Sequence, residues 1–320
     1  MNQYRLAILD DYQGVAEDFA PWSSLAQRGV AVTVFGAHFG SETETAAALA
    51  DFDIVIAMRE RTPFPRSVIG QLPQLKLLVT TGAANAAIDL QAAADHDVVV
   101  CGTGGSPTAA PELTWALLLA FARNLAAEGA SLRSGHWQTG LGFELSGKTL
   151  GIVGLGKIGK RIAAYGRAFG MDVLAWSQNL TEETAAAADA RRVSREELFT
   201  ESDVVSLHLR LSPRSEGTVG ERELQLLGPD GVLVNTARGP LVDQQALVTA
   251  LQEGWIRGAA IDVFDQEPLP AGHQLLAAPR TLLTPHLGYV TQESYRAFFG
   301  GAFEDVTAWL DGSPIRTLTP

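Results

Sequence analysis

The segment from Lys148 to Ile162, KTLGIVGLGKIGKRI, constrains this chain more than any other. Thr149 to Val153 is a short apolar run of the kind that forms a buried parallel strand. Gly154, Gly156 and Gly159 follow at G-x-G-x-x-G spacing, and Lys160 to Phe169 continues with helical periodicity. A helix start projects unpaired N–H groups and a partial positive charge, on which a pyrophosphate can sit. Gly154 permits the tight turn, Gly156 lets phosphate approach the backbone, and Gly159 lets helix and strand pack closely. Lys157 and Ile158 lie inside the same turn and belong to the same binding site. Because strand, glycines and helix occur together, the segment is read as a dinucleotide fingerprint and not as an ordinary turn.

Such a fingerprint normally carries an acidic residue about 20 positions on, at the tip of the second strand, where it holds the ribose hydroxyls. Here the second strand reads Met171 to Trp176, and Ser177, Gln178 and Asn179 follow it. These neutral groups neither hold a ribose diol strongly nor repel a 2′-phosphate. The expected cofactor is therefore NAD or NADP, with NAD slightly favoured. Lys157, Arg161, Arg191 and Arg192 are the cations to watch for a 2′-phosphate.

A chain of 320 residues with 46% hydrophobic content suits two domains of ordinary size. Its net charge of −12 argues against nucleic acid or an anionic membrane as partner. The lone cysteine, Cys101, ends an apolar strand and is read as core, and one cysteine allows no internal disulfide. Together with an N-terminus that lacks a signal-peptide pattern, this sets a cytoplasmic expectation. No metal site is expected.

Residues 4–10, 31–35, 53–57, 75–80 and 98–101 read as strands, with helical patterns at 15–28, 42–50, 65–71 and 88–95. That alternation implies a parallel sheet covered on both faces and a first domain ending near residue 100. Ala110 to Arg133 reads as one long apolar helix, buried between domains or against another subunit. The fingerprint domain continues through strands at 203–209, 231–237, 256–263 and 281–284, and a last helix spans Gln292 to Asp311.

In doubly wound sheets ligands lie beyond the carboxyl ends of the strands, so polar residues at strand tips carry the chemistry. Arg238 follows the strand ending at Asn235 and is suited to grip a carboxylate with its planar fork. His286, after the strand 281–284, is suited to general acid–base work, and Glu267 is suited to fix its tautomer and raise its pKa. His136, which has no carboxylate or nucleophile nearby in sequence, is read as a surface or packing residue.

These segments resemble the D-isomer-specific 2-hydroxyacid dehydrogenase family, including its glyoxylate/hydroxypyruvate reductase and phosphoglycerate dehydrogenase-like members. The blocks that carry the likeness are Thr81–Asp89, Glu112–Leu119, Leu150–Gly159, Leu198–Leu209 with Val232–Asp243, and Ala260–Gly288. The resemblance implies a Rossmann cofactor domain, 101–289, inserted into a flavodoxin-like substrate domain made of 1–100 and 290–320. Each domain is expected to be an α/β unit with a doubly wound parallel sheet. It places the catalytic arginine, glutamate and histidine on Arg238, Glu267 and His286, and the aspartate that holds the nicotinamide carboxamide on Asp262. His208, Thr236, Ala237 and Gly288 join the cofactor site by the same matching. Thr81, Gly82, Ala83 and Ala84 fall on the loop whose N–H groups bind the substrate carboxylate, where Arg238 and His286 also act.

The implied reaction is hydride transfer between NAD(P)(H) and C2 of a small D-2-hydroxy acid or 2-oxo acid such as glyoxylate or hydroxypyruvate. Arg238 would orient the carboxylate, His286 would exchange the proton, and domain closure would exclude water. A homodimer built largely through the cofactor domains is implied as well. Departures from the pattern are Ser177 in place of the usual aspartate, Arg210 and Leu211 where a proline is usual after His208, and Thr80 where phosphoglycerate enzymes carry a phosphate-binding arginine. The alternatives are a formate- or phosphite-type dehydrogenase of the same fold and an NAD(H)-responsive corepressor-like binding protein. Glu267 counts against formate, because those enzymes pair the histidine with glutamine. The phosphite reading needs a lysine near residues 80–84, and the nearest, Lys76, lies inside a strand.

Overall fold

Short, continuously apolar strands such as Ile54–Ala57 and Val232–Asn235 are buried along their whole length, the pattern of a parallel sheet covered on both faces. The structure, a computed structural model, describes residues 4–320 and divides into two compact units. The first comprises the chain up to Ser106 together with Val290–Pro320, and the second is Pro107–Tyr289.

In the first unit, β1 (Tyr4–Ile8), β2 (Val30–Val34), β3 (Ile54–Ala57), β4 (Leu77–Thr80) and β5 (Val99–Gly102) form a parallel sheet in the order β2-β1-β3-β4-β5. This is the flavodoxin-like order, with its switch point between β1 and β3. The unit runs on to Ser106 because β5 continues through Gly102, and the Thr103 amide then donates back to Thr80 and Gly82. Helix Gln292–Leu310 packs on β4 and β5 and buries Phe298, Phe299 and Val306. A buried side chain of that size contributes about 1.5–3 kcal/mol. Thr317 then forms an antiparallel bridge with Cys101, so the last residues cover the exposed edge of β5. Cys101 is a free, fully buried thiol, and burial pushes its pKa up to about 12.

In the second unit, β6 (Thr149–Val153), β7 (Asp172–Trp176), β8 (Arg191–Arg192), β9 (Val204–Leu207), β10 (Val232–Asn235), β11 (Gly258–Ile261) and β12 (Thr281–Leu283) are all parallel. Their order, β12-β11-β10-β9-β6-β7-β8, is the Rossmann order extended by one strand. The switch point lies between β6 and β9, beside the fingerprint.

The structure corrects several expected boundaries. The first strand ends at Ile8, short of Asp10, whose φ of 54° is left-handed. The helix expected over 15–28 is split by Pro21 into Ala16–Phe19 and a 3-10 turn at Trp22–Arg28. The helix expected over Ala110–Arg133 is likewise two helices, Ala109–Ala122 and Leu125–Arg133. They break at Asn124, which tolerates the left-handed conformation (φ 52°) better than most residues. The first of these packs within its own unit, on helix Lys157–Ala168 and on β10 and β11, with the Trp115 ring edge-on to Tyr165 and Phe169. The second buries none of its residues.

Candidate active site

At the switch point of the second unit, Gly154 sits at φ 101°, and its amide donates to the Trp176 carbonyl at the tip of β7. A Cβ on Gly154 would lie 2.8 Å from the backbone of His208, and one on Gly159 would lie 2.2 Å from the Gly154 carbonyl oxygen. The turn therefore closes tightly against the tip of β9. Around Gly156, by contrast, an added Cβ would meet nothing within 4 Å. Gly156 is the N-cap of helix Lys157–Ala168, and no side chain caps that helix. Elsewhere Ser41, Asp89, Thr181, Ser194, Asp243 and Thr291 each accept a first-turn amide at a helix start. An uncapped helix start, open space at Gly156 and close packing at Gly154 and Gly159 fit a pyrophosphate against the backbone. The residues present thus suit a dinucleotide.

Lys157 and Ile158 are exposed on the first turn of this helix. Ser177 is half-buried at the tip of β7, while Gln178 and Asn179 are exposed. The Ser177 carbonyl accepts from the Leu180 amide at 3.2 Å, which closes that turn. Arg191 pairs with Glu201, and Arg192 donates to the Leu180 carbonyl at 2.7 Å and to Glu182 at 3.1 Å. His208 exchanges a 2.9 Å hydrogen bond with Ser206, and burial pushes its imidazole down to about 3, leaving it neutral at pH 7.

The tips of β10, β11 and β12 bring the other predicted residues together. Thr236 is buried, with its hydroxyl 2.6 Å from that of Thr114. The Asn235 side chain bridges its own turn, accepting from the Ala237 amide at 3.0 Å and donating to the Arg238 carbonyl at 2.9 Å. Such a two-residue loop of the side chain onto the backbone is an Asx turn, and here it fixes where Arg238 leaves the strand. The Arg238 guanidinium donates to the Ala237 carbonyl at 2.7 Å. The neighbouring Gly239 lies so close to the next strand tip that a Cβ would sit 2.1 Å from the Phe264 carbonyl carbon.

Phe264 links this turn to the acid–base pair. Its amide donates to Glu267 Oε1 at 2.8 Å, and Glu267 Oε2 lies 2.6 Å from His286 Nδ1. Both side chains keep partial exposure, 28% for Glu267 and 19% for His286, so they are reachable from outside the core. A carboxylate at Nδ1 orients the ring and leaves Nε2 as the exchanging nitrogen. His286 itself is held at φ 53°, a conformation that costs a non-glycine residue about 1–2 kcal/mol.

Asp262 fixes that conformation. Its carbonyl accepts from the His286 amide at 2.8 Å. Its carboxylate accepts from the Thr284 hydroxyl at 2.6 Å and from the amides of Leu287 and Gly288 at 2.7 and 2.9 Å. Asp262 is fully buried, and desolvation pushes its carboxyl above the usual range against those hydrogen bonds and the nearby imidazole. Its carboxylate thus clamps the loop on both sides of His286.

In the first unit, the turn after β4 holds Thr81, Gly82, Ala83 and Ala84. Thr81 and Gly82 are buried, and the Gly82 amide donates to the Thr103 hydroxyl at 2.7 Å. Ala83 and Ala84 are exposed, and among the described residues no hydrogen bond takes their amides. Asn85 makes the same Asx turn as Asn235, with its carbonyl oxygen 2.9 Å from the Ala87 amide. The sequence reading passed over Asn85, Asn235 and Ser206. The two asparagines carried a readable signal, a lone Asn at the end of an apolar strand or in the turn after it, two residues before an alanine. Ser206 inside a strand carried none.

Known proteins resemble this chain in sequence and in fold. Residues 115–288 match the model for the NAD binding domain of D-isomer specific 2-hydroxyacid dehydrogenases. A glyoxylate reductase of Aeropyrum pernix is 40% identical over 77% of this chain and 76% of its own length. A crystal structure from Ralstonia solanacearum, assigned as a D-3-phosphoglycerate dehydrogenase oxidoreductase, superposes with a TM-score of 0.93 at 39% identity, over 99% of this chain and 97% of that one. A phosphoglycerate oxidoreductase from Vibrio cholerae O395 gives 0.91 at 40% identity, over 97% of this chain and all 100% of its own. With the Glu267–His286 pair and an open fingerprint helix built on a Rossmann sheet, the chain is an oxidoreductase of the D-isomer specific 2-hydroxyacid dehydrogenase family.

Proposed function

We propose that this enzyme reduces a small 2-oxo acid, glyoxylate or hydroxypyruvate in the first place, to the corresponding 2-hydroxy acid. The 2.6 Å contact between His286 and Glu267 carries the reading, because it supplies an oriented imidazole with a carboxylate to stabilise its protonated form. When bound, a nicotinamide dinucleotide supplies the hydride. Gly154, Gly156, Lys157, Ile158 and Gly159 would hold its pyrophosphate, Ser177 and Gln178 its ribose, and His208, Thr236, Ala237, Asp262 and Gly288 the remainder of the site. Arg238 is assigned to the substrate carboxylate and the C2 oxygen, and the amides of Ala83 and Ala84 are assigned to substrate carboxylate binding. His286 delivers the proton to the C2 oxygen from Nε2 and recovers it in the reverse direction, while Glu267 stabilises the imidazolium. We accordingly assign residues 101–289 to the cofactor and residues 1–100 with 290–320 to the substrate.

Thr80 supports a substrate without phosphate. It is fully buried, and its hydroxyl accepts from Asn85 at 2.9 Å, so it adds no cation to the turn. For the cofactor we favour NAD slightly, because Arg191 and Arg192 are both drawn to acidic partners of their own. Homodimerisation through the cofactor unit is supported by exposed Leu125, Leu132, Trp137 and Leu141, the last at 97%. A cytoplasmic setting is supported by the buried, unpaired Cys101. Among the described residues no helix is long and apolar enough to cross a membrane.

The test is oxidation of NADH and of NADPH, followed by reduced-nicotinamide absorbance, with glyoxylate, hydroxypyruvate and pyruvate. Turnover of glyoxylate or hydroxypyruvate is the expected result. Cofactor binding without turnover of any of the three would favour a corepressor-like role. Light scattering of the same sample reads the oligomeric state.

A further inference from the structure

Arg59, just after β3, takes hold of the Thr81–Asn85 turn through its amide, its carbonyl and its side chain. Its amide donates to Thr81 Oγ1 at 2.8 Å, Nη1 donates to the Thr81 carbonyl at 3.1 Å, and its own carbonyl accepts from Asn85 Nδ2 at 2.7 Å. The guanidinium meets Gly82 end-on through Nη1, so that a Cβ there would come 1.7 Å from that nitrogen. Gly82 stands at φ 96° and Arg59 at φ 53°, so two left-handed residues face each other across this contact. Thr103 grips the turn from the other side, its hydroxyl accepting from the Gly82 amide and its amide donating to the Gly82 carbonyl at 3.0 Å. Residues 81 and 82 are thereby held on both sides, and the exposed residues next in line are Ala83 and Ala84.

We infer that Arg59 is a positioning residue for substrate binding: it holds the turn so that the Ala83 and Ala84 amides stay aimed at a carboxylate. A pair of main-chain donors binds an anion well only when fixed in place beforehand, since an unheld turn loses ordering entropy on binding. The arginine's charge is turned onto a main-chain carbonyl and beside Glu60 Oε2, 3.6 Å away. Its role is therefore one of geometry, with no direct contact to the group attached at C3 of the substrate. This rests on assigning the substrate carboxylate to the Ala83 and Ala84 amides.

Arg59→Ala and Arg59→Lys decide the matter through two independent readouts. In the first, KM and kcat are measured for glyoxylate and for hydroxypyruvate, which differ only beyond C2. The side-chain bond to a neutral carbonyl, with the cover over Gly82, predicts a KM increase of about tenfold in Arg59→Ala, equal for both substrates, with kcat within about threefold of wild type. Lysine, which keeps a donor but not the flat fork, is expected to fall between. In the second, hydrogen exchange of residues 81–85 is followed in the substrate-free protein and should quicken in Arg59→Ala while β4 stays protected. Unchanged exchange and KM would overturn the inference. So would a KM increase confined to hydroxypyruvate, which would put Arg59 in direct contact with the distal hydroxyl. If the wild type turns over neither acid, the functional reading fails by itself, and the exchange measurement still decides whether Arg59 orders the turn.

Discussion

At the carboxyl ends of the seven-stranded sheet, titratable side chains stand partly exposed and engage one another, as Glu267 does His286. At the ends of the five-stranded sheet the charged side chains bond back onto their own unit. Asp10 is 1% exposed and accepts from the Thr62 hydroxyl at 2.7 Å, and Arg59 donates to the Thr81 carbonyl. What that second set of tips offers outward is main chain, at Ala83 and Ala84. Both ends nonetheless use the same local device, an Asx turn at Asn85 and at Asn235. On the function proposed above, one framework would serve two purposes: in one unit it would aim side chains that exchange protons, and in the other backbone donors. Variants in the first unit to bear a charge at its tip should act on binding or stability, and those in the second on the rate of turnover.

The largest effect tests the sharpest side of that contrast. His286→Ala should lower kcat by about 10²–10⁴ while leaving reduced-cofactor binding, read by fluorescence titration, near wild type. A variant retaining more than about half the wild-type rate would remove His286 from proton transfer and with it the contrast. The asparagine pair comes next. Asn235→Ala should mainly lower kcat by loosening the Arg238 turn, and Asn85→Ala should mainly raise KM by loosening the amides. Each loses buried hydrogen bonds worth about 1–3 kcal/mol. Steady-state kinetics on both variants with one substrate is sufficient, and identical parameter changes would erase the distinction.

Inward-turned charge makes a prediction about stability. Asp305, on helix Gln292–Leu310, is fully buried against Arg316, and burial outweighs that ion pair to raise its pKa from 3.8 to about 6. Its folded-state value lies above its unfolded one, so between those values the folded protein holds the extra proton. Unfolding free energy then falls as pH rises through that window, by at most about 1.4 kcal/mol per pH unit, and the cost is complete above it. Asp305→Asn should lose that slope in urea titrations while turnover stays unchanged. A variant with the wild-type slope would assign the pH dependence to other groups. The smallest effect concerns cofactor choice. Ser177→Asp should shift preference toward NADH by about tenfold in kcat/KM, chiefly by weakening NADPH through repulsion of its 2′-phosphate. A wild type already strongly selective for NADH and indifferent to the change would mean that other residues read the ribose.

The sequence alone determined both sheets and their parallel sense, because apolar strands alternating with helices can bury both faces only in that way. It also determined the fingerprint, since Gly154, Gly156 and Gly159 have a spacing that the close strand–helix turn demands. Arg238, Glu267 and His286 were legible as strand-tip polar residues, one per strand, through the rule that ligands gather at such tips. Tertiary structure decided the rest. The break at Asn124 was hidden within an apolar run, because a single residue turning left-handed leaves helical periodicity on either side intact. The clamp of Asp262 on the His286 loop joins residues 24–26 positions apart through backbone amides, and amides leave no mark in the amino-acid code. Arg59 was invisible for the same reason. Among its partners on the turn are a main-chain carbonyl, a hydroxyl and a glycine surface, 22 or more positions away. Sequence periodicity records which face of an element is buried, whereas which backbone groups meet across two loops is fixed only when the strands beneath them pair in register.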